Sequence, residues 1–458
     1  MLPLLQSTLV LFGVLAAGQT ALTPQDDQTI LGSSRWQRPD TGVGHFSEWS
    51  RHMKKHFWED WQNGKSSDWV MVMGNEGGDL DSMTSALTWA YHLTHATQNT
   101  SSPLKAIALL QTPSDQLDLR PENKLALQYA HMSAEHRDLL NINELPEDVE
   151  TLSIKLKGIV LVDHPEPLRK WQDANIMSIF DHHVDVGAAP EASPRVFETV
   201  ASCTTIVARQ MLDELEQLPE EYHMPHELLK LILSAIALDS DALNPEKSTD
   251  IDRQTSERVL ARSHWADRKL DEVMDDLDGK LGDAKKDLDQ FALRDLLRRD
   301  WKAAFVDTPS PRTPTVHLGF SSIPISVNEQ IQRTEWQEVF NWFVVHAAWT
   351  AERSIDISVS MSKHKVKVHD EAGVLIKKKK IREIVLVVRD DIRVNDKQAD
   401  ELFKVAFDAI EGDEQLAVKP RHDVGKLGKR QYIWTTECAT CSRKYVKPII
   451  EAAVKAWE

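Results

Sequence analysis

The sequence predicts an α/β protein: a parallel-sheet N-terminal domain and a smaller mixed α/β C-terminal domain. Three observations carry this. Short apolar runs alternate with helical periodicities between residues 69 and 238, two of those runs end at Asp163 and Asp181, and the alternation continues past residue 270 with more antiparallel character.

Residues 69–73, 106–110, 158–162 and 176–180 read as short buried strands, and residues 82–98, 122–137, 202–215 and 225–238 as helices. Strands that alternate with helices in this way form a parallel sheet covered on both faces. In such sheets ligands bind outside the carboxyl ends of the strands, so the loops after Met73, Val162 and Phe180 are expected to converge.

Upstream, residues 46–61 carry Trp49, Phe57, Trp58 and Trp61 at helical spacing and are expected to pack over the first domain. Residues 22–44, broken by Pro24, Gly32, Pro39, Gly42 and Gly44, read as a linker. The run from Leu2 to Ala17, closing on Ala16, Ala17 and Gly18, has the make-up of a signal peptide over residues 1–21, although no Lys or Arg precedes it. A secretory or extracellular location follows if it is removed, and a cytoplasmic one otherwise. The run is too short to span a bilayer, so the mature chain is expected to have no membrane span. A sequon, Asn99-Thr100-Ser101, is compatible with the secretory route.

Downstream, residues 256–290 are dense in Asp, Lys and Arg and read as solvated helix, which places the domain boundary near Leu270 and divides the chain into 45–270 and 271–458. The second domain is expected to hold helices at 288–301 and 335–349 and strands at 315–320, 355–361 and 383–388. Lys363, Lys365, Lys367 and Lys377 to Lys380 surround the turn Glu371-Ala372-Gly373 and read as a solvated hairpin tip, with an auxiliary polyanion contact as the alternative.

With 458 residues and 41% apolar content the chain can bury a large core. A net charge of -17 disfavours nucleic acid or an anionic membrane as partner, so any anionic substrate must find metal or a local basic patch. Nothing in the composition calls for an oligomer, and a monomer is expected. Three cysteines cannot make a disulfide framework, and the single Cys438-x-x-Cys441 is weak support for zinc or redox chemistry against a local structural use.

Four segments concentrate candidate chemistry. In Gly74-Asn75-Glu76-Gly77-Gly78-Asp79-Leu80-Asp81-Ser82, alternate spacing lets an extended loop aim both carboxylates at one point, although either could simply cap the following helix. Paired carboxylates repel, and a divalent cation relieves them. Asp163-His164 and Asp181-His182-His183 each follow an apolar strand and supply ligand types that Mn²⁺, Mg²⁺ or Zn²⁺ accept. Asp239 ends an apolar helix, where the macrodipole disfavours an acid unless a cation is near.

This ordered set, G-N-x-x-x-D-x-D-S, V-D-H, D-H-H and a late L-D, resembles the DHH phosphoesterase superfamily. Cys441-Ser442-Arg443-Lys444 before a final helix resembles the second type of DHH-associated C-terminal domain. Within the superfamily the chain is most similar to fungal-type exopolyphosphatases, through Asn75, Ser202-Cys203-Thr204 and Asp300-Trp301-Lys302. The resemblance implies that Asp79, Asp81, Asp163, His182 and Asp239 are ligands of two divalent ions, Mn²⁺ or Mg²⁺, with Asp163 bridging and a shared water acidified between them. It implies that His183 is the proton donor beside the scissile phosphate and that Lys302, Arg443 and Lys444 clamp phosphate, which puts the active site in the cleft between the two domains. Asn75 stands where the related family II pyrophosphatases have a metal-binding His, so at most a weak metal or substrate contact is expected of it.

The expected activity is release of terminal phosphate from inorganic polyphosphate. The alternatives are a pyrophosphatase, a short-oligophosphate or nucleotide phosphodiesterase, and a binding protein of the same fold that has lost turnover.

Overall fold

The computed structural model describes residues 45–457 apart from 134, 220, 370–374 and 439. The expected signal peptide (1–21) and linker (22–44) lie outside the described residues, as does the turn at 371–373.

The first sheet contains the four expected strands, β1 (Trp69–Met73), β2 (Lys105–Leu110), β4 (Gly158–Val162) and β5 (Ile176–Asp181), and two short edge strands, β3 (Leu140–Asn141) and β6 (Arg195–Phe197). Its order is β3-β2-β1-β4-β5-β6, and every neighbouring pair is parallel. All residues of β1 and β4 are buried, as a sheet covered on both faces requires. The order reverses between β1 and β4, so the ligand-binding crevice of this topology opens at the carboxyl ends of those two strands.

Helices α1 (His45–Gln62), α2 (Leu80–Ala96), α5 (Cys203–Leu215) and α6 (His226–Ser240) cover this sheet, with α4 (Val149–Lys155) before β4. Phe46, Trp49, Met53 and Phe57 of α1 are buried in its core, which confirms their packing role. The expected helix 122–137 is shorter: α3 (Pro121–Tyr129) stops because His131 takes a left-handed conformation at φ 52°.

The change of core falls later than the sequence suggested. After α7 (Asp250–Ala261), helix α8 (Leu270–Lys286) has a charged outer face that reads as solvated, yet its inner face buries Val273, Met274, Leu277 and Leu281 in the first core. The chain therefore leaves the first domain after Lys286.

The second sheet, from β7 (Trp301–Asp307), β8 (Thr315–Ile323), β9 (Ile357–His369), β10 (Leu375–Val388), β11 (Lys419–Pro420) and β12 (Gln431–Thr436), has the order β11-β12-β10-β9-β8-β7. Only the β8–β9 pair is parallel. Helices α12 (Asp396–Glu411) and α13 (Arg443–Lys455) build one core with it around Leu402, Val446 and Ile450. A second core holds α9 (Leu293–Arg299), α10 (Val327–Gln332) and α11 (Val339–Glu352), with Leu296, Trp342 and Trp349 buried. The expected helix 288–301 is thus shortened, because Trp301 and Lys302 open β7. The lysines read as a hairpin tip lie along the β9–β10 ribbon, where Lys363 stands opposite Arg382 and Lys365 opposite Lys380. Cys438 and Cys441 are joined in a disulfide just before α13, a local cross-link.

The two domains meet through charged pairs. Arg299 donates from Nη2 to both oxygens of buried Glu122, at 2.8 and 2.9 Å, and Arg298 to Asp115 at 2.7 Å. The Ala303 amide of β7 donates to Glu76 Oε1 at 2.7 Å, which ties the second sheet to the loop after β1.

Candidate active site

The loop from Gly74 to Asp79 joins β1 to α2. Gly78 lies at φ 54°, and a Cβ there would meet Thr112 Oγ1 at 1.9 Å, so only glycine serves. Asp79 is the N-cap of α2 and accepts from the Ser82 amide at 3.0 Å, the capping role that competed with a metal role in the sequence.

Asp163 follows β4 at φ 61°, a left-handed conformation that L-residues adopt at a cost and that collects at functional sites. Its Oδ2 accepts from Asn75 Nδ2 at 2.7 Å and from the Ser82 hydroxyl. Its Oδ1 lies 3.3 Å from His182 Nε2 and 3.8 Å from His183 Nδ1. Asn75 Oδ1 accepts from the Gly77 amide at 2.8 Å, and its Nδ2 holds Asp163 in place.

Asp81 reaches from the first turn of α2 to the start of α5. Its carboxylate accepts from Ser202 Oγ, the Cys203 amide, and both the amide and hydroxyl of Thr204, each at 2.7 Å. The Ser202-Cys203-Thr204 segment is thereby given a physical role. His183 Nδ1 bonds Asp181 Oδ1 at 2.7 Å, while His182 Nδ1 lies 3.2 Å from the Val200 carbonyl oxygen, which turns its Nε2 toward Asp163.

Asp163, Asp181, His182 and His183 offer ligand atoms that lie within 4.8 Å of one another. Asp79, Asp81 and Asp239 lie outside that cluster but close enough for their charges to act on one another and on Asp163. Burial and then the charge of Asp81 push Asp239 well above the usual carboxylate range, with Asp79 and Asp163 adding to the shift and Lys285 opposing it. Among the described residues Asp239 has no hydrogen-bond or ion-pair partner. Burial and the Asp163 charge likewise raise Asp81 to about 6. Burial alone would lower His182, but its contact with Asp163 and the charge of Asp81 overcome that and push it up to about 10. The imidazolium proton thus occupies a place that suits a cation, and the carboxylate and imidazole set fits a divalent metal.

Across the crevice the second domain contributes cations. Lys302 of β7 and Arg443, Lys444 and Lys447 of α13 line one pocket with Asn75, Asp163, His164 and His183. Burial lowers the Lys302 ammonium and neighbouring Arg443 lowers it further, while Asp163 and Asp300 pull it back. Arg443 is held by Asp300, at 2.9 Å to its carbonyl and 3.0 Å to Oδ1. Asp300, pressed by Arg443, Arg120 and Lys302, overcomes its burial and stays far below the usual carboxylate range.

Several contributors were missed in the sequence. Asp181, the acid of D-H-H, also orients the ring of His183. Ser82 closes the first motif and bonds Asp163. Arg120 donates to the Gly77 carbonyl at 2.6 Å and approaches Asp300 at 3.6 Å, a link between segments 180 residues apart that carries no local signal.

A parallel sheet with carboxylates and imidazoles at its switch point, faced by cations from a second domain, defines a protein that holds divalent metal against an anionic ligand. Comparison with known proteins gives the particular family: residues 69–236 match the DHH family N-terminal domain and residues 279–453 the DHHA2 domain. The two matches, in that order, cover most of the described residues. The chain is 28% identical over 84% of its length, and 90% of the relative's, to a Schizosaccharomyces pombe protein named "Putative exopolyphosphatase". It is 26% identical over 51% of its length to the exopolyphosphatase PRUNE1 of Bos taurus, of which it matches 49%. A "Probable manganese-dependent inorganic pyrophosphatase" of Lactobacillus delbrueckii is 24% identical over 41% of the chain and 53% of its own length. The crystal structure of a family II inorganic pyrophosphatase assigned to Methanococcus jannaschii superposes with a TM-score of 0.50 at 18% identity, over 84% of this chain and 99% of that one, and supports the fold alone. Among the described residues no helix is long and apolar enough to cross a membrane.

Proposed function

We propose that this protein is a metal-dependent exopolyphosphatase that releases terminal phosphate from inorganic polyphosphate. The observation that carries the reading is one pocket in which Asp163 and His183 of the first domain face Lys302, Arg443 and Lys444 of the second. The similarity to relatives named exopolyphosphatase supports it.

Asp79, Asp81, Asp163, His182 and Asp239 would hold two divalent ions, Mn²⁺ or Mg²⁺. Such ions supply a water acidified enough to attack phosphorus near neutral pH and charge to offset the phosphate oxygens. The chain's own groups do the rest. Arg443, steadied by Asp300, presents a planar fork to a pair of phosphate oxygens, and Lys302 and Lys444 add point charges where negative charge builds in the transition state. Asp181 fixes the His183 ring through Nδ1, so in the imidazolium form Nε2 carries the proton that the leaving phosphate needs. These cations also explain how a chain of net charge -17 admits a polyanion: the field is reversed inside one crevice.

A pyrophosphatase is the second reading, favoured by the similarity to the Lactobacillus protein. Phosphate release from long-chain polyphosphate and from pyrophosphate, compared at equal phosphoanhydride concentration with Mg²⁺ or Mn²⁺, decides between them. A higher kcat/KM on the long chain supports the exopolyphosphatase, release from pyrophosphate alone supports the second reading, and no release from either removes both.

A further inference from the structure

Behind the loop after β1, and apart from the metal crevice, a cavity of about 210 Å³ lies in the seam between the two domains. At about 30 Å³ of liquid volume per water it is far larger than a single-water void. The first domain contributes Lys170, Thr112, Glu76 and Gly77 to its wall, and the second contributes Arg298, Arg353, Trp301 and Trp349.

Two features mark it as built for an anion. The first is uncompensated charge. Arg298 is paired with Asp115 and Arg299, which also lines the cavity, with Glu122, but among the described residues neither Lys170 nor Arg353 has a carboxylate within ion-pair distance. The one acidic side chain in the wall, Glu76, has an oxygen engaged by the Ala303 amide. Burial lowers the Lys170 ammonium below its ordinary value and Arg353 lowers it further, while Glu76 and Glu150 oppose this only in part. The second feature is the lining itself: four cationic side chains, Lys170, Arg298, Arg299 and Arg353, stand round a space with one carboxylate, Glu76. Water alone would leave the half-buried Lys170 ammonium without a full countercharge.

We propose that this interdomain cavity is a second anion site, taking a small phosphate-class oxyanion between Lys170 and Arg353. Phosphate suits it better than a monovalent anion because it carries more than one charge and several acceptor oxygens, which ammonium and guanidinium N–H groups can share. Glu76 lines both this cavity and the metal crevice, so the occupant rests against the back of the loop that positions Asn75 and Asp79. The site does not depend on which reaction the crevice performs.

Equilibrium dialysis of the full chain against radiolabelled inorganic phosphate tests it, in wild type and in the variants Lys170→Gln, Arg353→Gln and Lys302→Gln. Two phosphates per chain are expected. Lys170→Gln and Arg353→Gln should each weaken one of them about tenfold and leave the other, while Lys302→Gln does the reverse. Arg353 is exposed at the rim, so its replacement tests the site even if Lys170→Gln folds poorly. Pyrophosphate should compete at this site and equimolar chloride should not. A single phosphate per chain lost only with Lys302→Gln, a second phosphate indifferent to both Lys170→Gln and Arg353→Gln, or equal displacement by chloride would each overturn the proposal.

Discussion

Asn75 donates from Nδ2 to Asp163 Oδ2 at 2.7 Å, across the switch point between β1 and β4. The first motif therefore acts on the metal crevice through the orientation of a carboxylate held in a left-handed backbone conformation. Asn75→Ala removes a hydrogen bond to a charged acceptor, worth about 1.5–3 kcal/mol, while the Ser82 hydroxyl remains on the same oxygen. Phosphate release at saturating metal should fall by about tenfold in kcat/KM, and Asn75→Ala, Ser82→Ala together should fall further than either alone. Wild-type kinetics in Asn75→Ala would show that Asp163 needs no such support.

The buried carboxylates of the crevice repel one another, Lys285 opposes this only in part, and among the described residues Asp239 has no hydrogen-bond or ion-pair partner. Mn²⁺ at a hundred times its Kd should stabilise the fold by about 2.7 kcal/mol, read as a rise in Tm that EDTA reverses. Asp239→Asn should raise the Tm of the metal-free protein at pH 8 and lose most of the Mn²⁺-induced gain. An unchanged metal response in that variant would remove Asp239 from the ligand set.

The seam between domains rests on Arg299 and Glu122, both buried. Burial and then repulsion from Arg120 are not fully offset by Glu122, so Arg299 sits below its usual pKa, whereas Arg299 and Arg120 overcome burial to hold Glu122 low. Arg299→Ala leaves a buried carboxylate short of its fork and should cost about 3–5 kcal/mol in urea unfolding. Arg299→Met with Glu122→Leu should cost clearly less than Arg299→Ala alone. Additive losses would mean that the two side chains contribute independently.

Two buried histidines set an acid limit. Burial holds His346 down to about 3 and His95 to about 4, against 6.5 in solution. Because the folded values are the lower ones, the unfolded chain takes up these protons first as pH falls. Their contribution to stability is complete above about pH 6.5 and is lost progressively toward pH 4 and then 3. Tm measured from pH 7 to pH 4 should decline, and His346→Gln, which can still bond Ser360 on β9, should decline less steeply. Parallel curves would exclude His346 as a source of the acid sensitivity.

Much of the first domain is legible in sequence because its strands are fully buried and so read as continuous apolar runs, and because Asp163, His182 and His183 stand directly after two of them. The strand order is not legible, since it depends on crossovers that leave no local pattern. β3 and β6 escape because strands of two and three residues have no periodicity. The length of the β9–β10 ribbon is hidden by lysines that resemble a solvated tip, and the inner face of α8 by the charges of its outer one. At the site, residue types mark Asp79 and Asp81 as candidates, but the difference between them arises from distant segments: Asp79 caps its own helix, whereas Asp81 receives four bonds from residues 202–204. The pairs Arg299–Glu122 and Arg120–Asp300 join residues that only the folded chain brings together.

Asp163 is the residue on which Asn75, Ser82, His182 and His183 all converge. The most direct measurement is phosphate release from long-chain polyphosphate by wild type and Asp163→Ala, each with Mn²⁺, with Mg²⁺ and with EDTA, on protein whose folding is confirmed by circular dichroism. Metal-dependent release by wild type that EDTA abolishes, and a loss of at least about a thousandfold in folded Asp163→Ala, is the expected result. Release that persists in EDTA, or a folded Asp163→Ala that retains activity, would contradict a metal-dependent hydrolase centred on Asp163.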